Sequence, residues 1–111
     1  MAHEIKRRER RYPRAHGPFD GYHLGLPDTP VLIYDLNLGG GFVNFCDEQP
    51  GGATLVLSIE LPREGRITVN AEMIYRHPSG IAVRFVDLDA DTSRRLGRTV
   101  DALVAHQAGP V

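Results

Sequence analysis

The sequence predicts an all-β domain of six antiparallel strands followed by one C-terminal α-helix. Three observations carry that prediction. Apolar and polar residues alternate with period two through most of the chain, the mark of strands with one buried face. Clusters of Gly, Pro, Asn and Asp interrupt the alternation at short intervals, which suits tight connections between antiparallel neighbours. From Asp91 the period lengthens, and Leu96, Val100, Leu103 and Val104 fall on one helical stripe.

The elements follow in order. Residues 19–24 form a short, weak strand between Gly17-Pro18 and Gly25-Leu26-Pro27. Residues 30–36 (PVLIYDL) form a stronger one, rich in β-formers and ended by Asn37 and the glycines beyond it. Residues 41–45 (GFVNF) resume the extended pattern until Asp47-Glu48-Gln49-Pro50-Gly51-Gly52 breaks it. In the clearest alternation, Ala53, Leu55, Leu57, Ile59 and Leu61 point to the core, while Thr54, Val56, Ser58 and Glu60 point to solvent. Ile67, Val69, Ala71, Met73 and Tyr75 repeat the pattern opposite Arg66, Thr68, Asn70 and Glu72. His77-Pro78-Ser79-Gly80 then turns the chain into Ile81, Val83 and Phe85. The expected order is a meander. The helix spans about residues 91–106 with Asp89, Asp91 or Thr92 as its cap, and its narrow apolar stripe suits a lid over an open barrel end.

Composition bounds the function. At 111 residues, with 41% hydrophobic and 24% charged residues, the chain holds one small core and favours a surface-built site over a deep pocket. The expected organisation is a basic arm at 1–14 and a barrel with its helix at 15–111. Residues 1–14 hold six basic residues against two acidic ones, or +4, while the body holds seven against twelve, or −5. Twelve of the thirteen basic residues are Arg, the side chain that grips phosphate and guanine edges in bidentate fashion and stacks on flat rings. Pro13 keeps the arm from continuing as a helix. An acidic body of this kind repels a polyanion, so neither DNA nor RNA is the expected partner.

Catalytic and metal chemistry find no support. The five histidines lack metal-ligand spacing, the single Cys46 precedes Asp47-Glu48, and no Gly-x-Ser-x-Gly elbow or phosphate-binding Gly-rich loop occurs. A lone cysteine excludes an internal disulfide, no apolar run is long enough for a membrane helix, and the N-terminus lacks a secretory apolar stretch. A cytoplasmic, non-enzymatic protein without a metal or cofactor, and without membrane insertion, is expected.

Two segments stand apart from generic barrel parts. One is Arg10-x-x-x-Arg14, just ahead of the first strand; the other is Asp35-Leu36-Asn37-Leu38-Gly39-Gly40, where one strand gives way to the next. A strand-end Asp accepts two parallel hydrogen bonds, and glycines permit a close approach to a flat ligand. The same residues equally make an ordinary hairpin turn.

Together the segments resemble the PilZ domain family, whose signature is Arg-x-x-x-Arg followed by Asp/Asn-x-Ser-x-x-Gly. Arg10, Arg14, Asp35 and Gly40 match it, and Asn37 stands where the family carries Ser. The likeness extends over roughly residues 6–105, including the strand Gly-Ile-Ala-Val-Arg-Phe-Val at 80–86 and the C-terminal helix. It implies a six-stranded antiparallel β-barrel that binds cyclic di-GMP and has no catalytic activity. Carried over, Arg10 and Arg14 would clamp phosphates and guanine O6/N7 edges, with stacking between a guanidinium plane and a base, Asp35 would take the guanine N1-H/N2-H edge, and Gly40 would permit the turn that brings it there. Asn37 keeps a donor and an acceptor at the family's Ser position. Arg7, Arg8, Arg11 and Gly39 are candidates for additional contacts. The charge of the arm and Pro13 further suggest that nucleotide binding orders the arm and so signals to a separate effector protein, and the expected state is a monomer or weak homodimer. The alternative is a degenerate PilZ-like interaction module that has lost the nucleotide.

Overall fold

The computed structural model describes residues 14–46 and 48–108, with side chains to residue 105. Arg7, Arg8, Arg10 and Arg11 lie outside the described residues. Six strands form, β1 (Phe19–His23), β2 (Thr29–Asn37), β3 (Gly40–Phe45), β4 (Thr54–Leu61), β5 (Gly65–His77) and β6 (Gly80–Val86), followed by helix α1 (Ala90–Ala108). All six pair antiparallel and close into a barrel in the order β1-β2-β3-β6-β5-β4.

The expected all-β barrel with one helix is present, but the meander order is not. β3 pairs with β6 and β1 with β4, so the β3–β4 connection leaves one hairpin and enters another. A pure meander of six strands would close by pairing β1 with β6. Here β3 to β6 instead follow a Greek key: β4, β5 and β6 run as consecutive hairpins and β3 lies beside β6. The residues between Phe45 and Thr54 are rich in Pro and Gly and too numerous for a tight hairpin, which frees β4 from pairing with β3.

The core forms along the alternation. Leu55, Leu57, Ile59 and Leu61 of β4, Ile67, Val69 and Ala71 of β5, and Ile81, Val83 and Phe85 of β6 are buried together. Three residues depart from the expected faces. Ala53 is exposed because it precedes β4. Ser58 is buried although it occupies an outward position, because β1 pairs alongside it through Tyr22 at the seam that closes the barrel. The seam is tight: a Cβ on Gly21 would stand 2.3 Å from the Ser58 carbonyl oxygen, so a residue without a side chain lets the strands meet. Tyr75, expected inside, is exposed.

Helix α1 covers the barrel with Leu96 and Val100, which join the same core, while Leu103 and Val104 pack against it. The Asp89 carboxylate caps it, accepting the Thr92 backbone N–H at 2.7 Å. Hydrogen bonds from the Thr92 backbone and then its side chain hold the Asp89 carboxyl below its ordinary pKa. Arg95 donates to the carbonyls of Glu64 and Arg66, pinning the helix to the β4–β5 hairpin.

Candidate functional site

The β2–β3 ladder is regular from Val31–Phe45 to Tyr34–Phe42 and resumes at Asn37–Gly40, with a register shift between. That bulge sets Asp35 at φ 53, a left-handed conformation that Asp tolerates better than most residues. The segment before β1 is stitched onto it. Ala15 and Leu36 exchange backbone hydrogen bonds of 2.8 Å each, and the Asp35 N–H donates to the His16 carbonyl at 3.1 Å. This pairing carries Arg14 to the side of Asp35, although the two lie far apart in sequence.

Asn37 braces the turn from both ends. Its side-chain amide donates to the Asp35 carbonyl at 3.2 Å, and its side-chain oxygen accepts the Gly39 N–H at 2.7 Å. The Gly39 carbonyl in turn accepts the Phe85 N–H at 2.8 Å, tying the turn to β6. Gly40 serves packing between strands: a Cβ there would lie 2.0 Å from the Val83 carbonyl oxygen, closer than any real contact. The Asp35 carboxylate stands 3.4 Å from His16 Nδ1 in an exposed setting.

Arg14, Asp35, Asn37, Gly39 and Gly40 converge on one shallow depression of about 590 Å³. Its other wall is built by Ile74 and Tyr75 of β5 and Arg84 of β6, whose guanidinium is paired with Glu72 across the ladder. The concavity thus offers two arginines, a carboxylate, an amide and an exposed aromatic ring, a set suited to an anionic ligand with a planar polar edge. A second concavity of about 630 Å³ lies between the β4–β5 hairpin and α1. It holds none of the candidate nucleotide-binding residues, and there Arg98 is engaged by Glu64 at 3.6 Å. Among the described residues no three His, Cys, Asp or Glu side chains gather as metal ligands, and no helix is long and apolar enough to cross a membrane.

Sequence reading missed Ile74, Tyr75 and Arg84 as parts of this concavity. Arg84 was legible as an outward residue, but nothing in the one-dimensional pattern places β6 and β5 beside the β2–β3 turn. Only the pairing of β3 with β6 does so.

The family model for the PilZ domain matches residues 5–102, most of the chain. The chain belongs to the PilZ domain family. Among solved structures, this PilZ protein is similar to the PilZ domain of YcgR with c-di-GMP from Escherichia coli, at 19% identity and a TM-score of 0.71, over 92% of this chain and 98% of that one. It is also similar to the Bacillus subtilis inhibitor of motility MotI/DgrA, at 20% identity and a TM-score of 0.70, over 89% of this chain and 51% of that one. Full YcgR in complex with c-di-GMP matches at 21% identity and a TM-score of 0.67, over 89% of this chain and 47% of YcgR. The chain therefore spans about half the length of these last two proteins, and at such identities the likeness is one of fold. A search of curated proteins finds no match.

Proposed function

We propose that this PilZ domain is a cyclic di-GMP receptor, a binding protein that passes the signal to a separate effector. The observation that carries the reading is the convergence of Arg14, Asp35, Asn37, Gly39 and Gly40 on one open depression. The Ala15–Leu36 pairing sets Arg14 beside this turn, and an ordinary hairpin turn has no need of a guanidinium there. The Arg14 guanidinium supplies charge-assisted bonds to phosphate and to the O6/N7 edge of guanine. The Asp35 carboxylate accepts the N1-H/N2-H pair, and the left-handed bulge presents it outward from the barrel wall. Support comes also from YcgR, whose PilZ domain shares this fold and was solved with c-di-GMP.

Arg10 belongs to the family motif and completes the phosphate clamp in this reading, with Arg7, Arg8 and Arg11 adding charge around it. Binding would order the arm against the barrel and so present a new surface to the effector. Isothermal titration with cyclic di-GMP, with cyclic di-AMP as control, tests the receptor reading. Guanine-selective binding at micromolar or tighter affinity, weakened at least tenfold by Arg14→Ala, is the expected outcome. Absence of heat and of thermal shift at saturating nucleotide overturns it in favour of an interaction module.

A further inference from the structure

We propose that Tyr75, with Ile74 beside it, is the stacking wall of the nucleotide site, holding the face of one purine while Asp35 holds the edge of the other. The proposal rests on the cyclic di-GMP reading and assigns what the second base of the dinucleotide meets.

The β5–β6 ladder carries the argument. Met73 pairs with Val83 and Tyr75 with Ala82, so a register shift leaves Ile74 as an extra residue. Regular alternation would send Tyr75 to the core with Ala71 and Met73. The bulge instead turns two consecutive large apolar residues outward, and Ile74 is 61% and Tyr75 56% exposed. Exposed neighbouring apolar side chains forfeit burial, and beside convergent polar groups they mark a place where a ligand covers them.

The remaining lining rings are already committed. Phe85 is buried in the core, and Phe42 is half-buried with its edge against the His77 ring at a centroid distance of 6.5 Å. Tyr75 is thus the aromatic side chain with an available face among the described lining residues. Asp35 bonds in the plane of a base, and Arg14, beyond its phosphate and edge contacts, has a guanidinium plane for one base face only, which leaves the second base for Tyr75. Neither Asp35 nor the glycines of the turn cover the face of a base.

Topology separates the two roles. The strands of Asp35 and Tyr75 are three strand spacings apart around the barrel, β2 to β3 to β6 to β5, on the order of 14 Å along its wall. A cyclic dinucleotide carries two purines and can present an edge to one and a face to the other at the same time. Stacking on an aromatic ring tolerates any base, whereas the Asp35 edge demands guanine. The site therefore requires one guanine and accepts either purine on Tyr75.

The test is titration of wild type, Tyr75→Ala, Tyr75→Phe and Arg14→Ala with cyclic di-GMP and with the mixed cyclic GMP-AMP dinucleotide, with melting curves confirming that each variant folds. Expected are a loss of about tenfold in Tyr75→Ala, near-wild-type affinity in Tyr75→Phe, and binding of the mixed dinucleotide well above that of cyclic di-AMP. Nucleotide should also quench tyrosine emission in wild type more than in Tyr75→Phe, which has no fluorescent ring at that position. Wild-type affinity in Tyr75→Ala, alongside lost binding in Arg14→Ala, overturns the stacking wall and leaves the receptor standing. No binding by the wild type overturns both.

Discussion

The β4–β5 ladder and the pair of ladders that flank the depression are made of the same kinds of strand and do different work. From Thr54–Glu72 to Leu61–Gly65, β4 and β5 pair without a register shift, and their inward residues build much of the core. The β2–β3 and β5–β6 ladders each carry a shift, one at Asp35 and one at Ile74. Regular pairing keeps every second residue on the core face, so it yields stability and leaves a plain outer surface. A bulge breaks that parity and re-aims side chains, so it yields a site at the cost of local regularity. In this barrel the two bulges lie on either side of β3 and β6, and the space between their re-aimed residues is the depression.

That contrast can be broken first at the regular ladder. Leu57 is fully buried at its centre, and Leu57→Ala should cost about 3 kcal/mol of stability, read by denaturant unfolding, with nucleotide affinity of the remaining folded protein unchanged. At the bulged ladder the signs reverse. Asp35→Asn keeps a residue that tolerates the left-handed backbone but replaces one acceptor by a donor, so affinity for cyclic di-GMP should fall by about 2 kcal/mol in titration while the melting temperature barely moves.

Asn37 sharpens the comparison because it serves both structure and site. Asn37→Ala removes the brace between Asp35 and Gly39 and should cost about 1 kcal/mol, measured by thermal unfolding. Asn37→Ser, which restores the family residue, retains an oxygen for the Gly39 N–H and should recover much of that loss. The smallest effect lies away from both ladders, at the helix cap. The folded-state pKa of Asp89 is lowered, so the carboxylate's contribution is full above the unfolded-state value and is lost as pH falls through the folded one. The melting temperature of Asp89→Ala should therefore lie below that of wild type at pH 7, and the gap should narrow as pH drops below about 4.

The family motif was legible because it is local. Arg14, Asp35 and Gly40 announce themselves by type and spacing, and the departure at Asn37 is visible in the same line of text. What Asn37 does was not legible, since its hydrogen bonds to Asp35 and Gly39 depend on the turn it closes. Likewise Gly40 reads as a turn residue, whereas its close approach is to Val83 of a strand far along the chain.

By itself, then, the sequence determined the six strands, the helix and its cap, the inward residues of β4 and the positions of the motif, because period and turn chemistry act over a few neighbouring residues. Tertiary structure decided the rest. Closure of the barrel set β3 against β6 and β1 against β4, which buried Ser58 and brought Tyr75 and Arg84 to the motif's side. A bulge shifts one residue's parity without a marker in local hydrophobicity, so the outward turn of Tyr75 is fixed only by how β5 must pair with both of its neighbours.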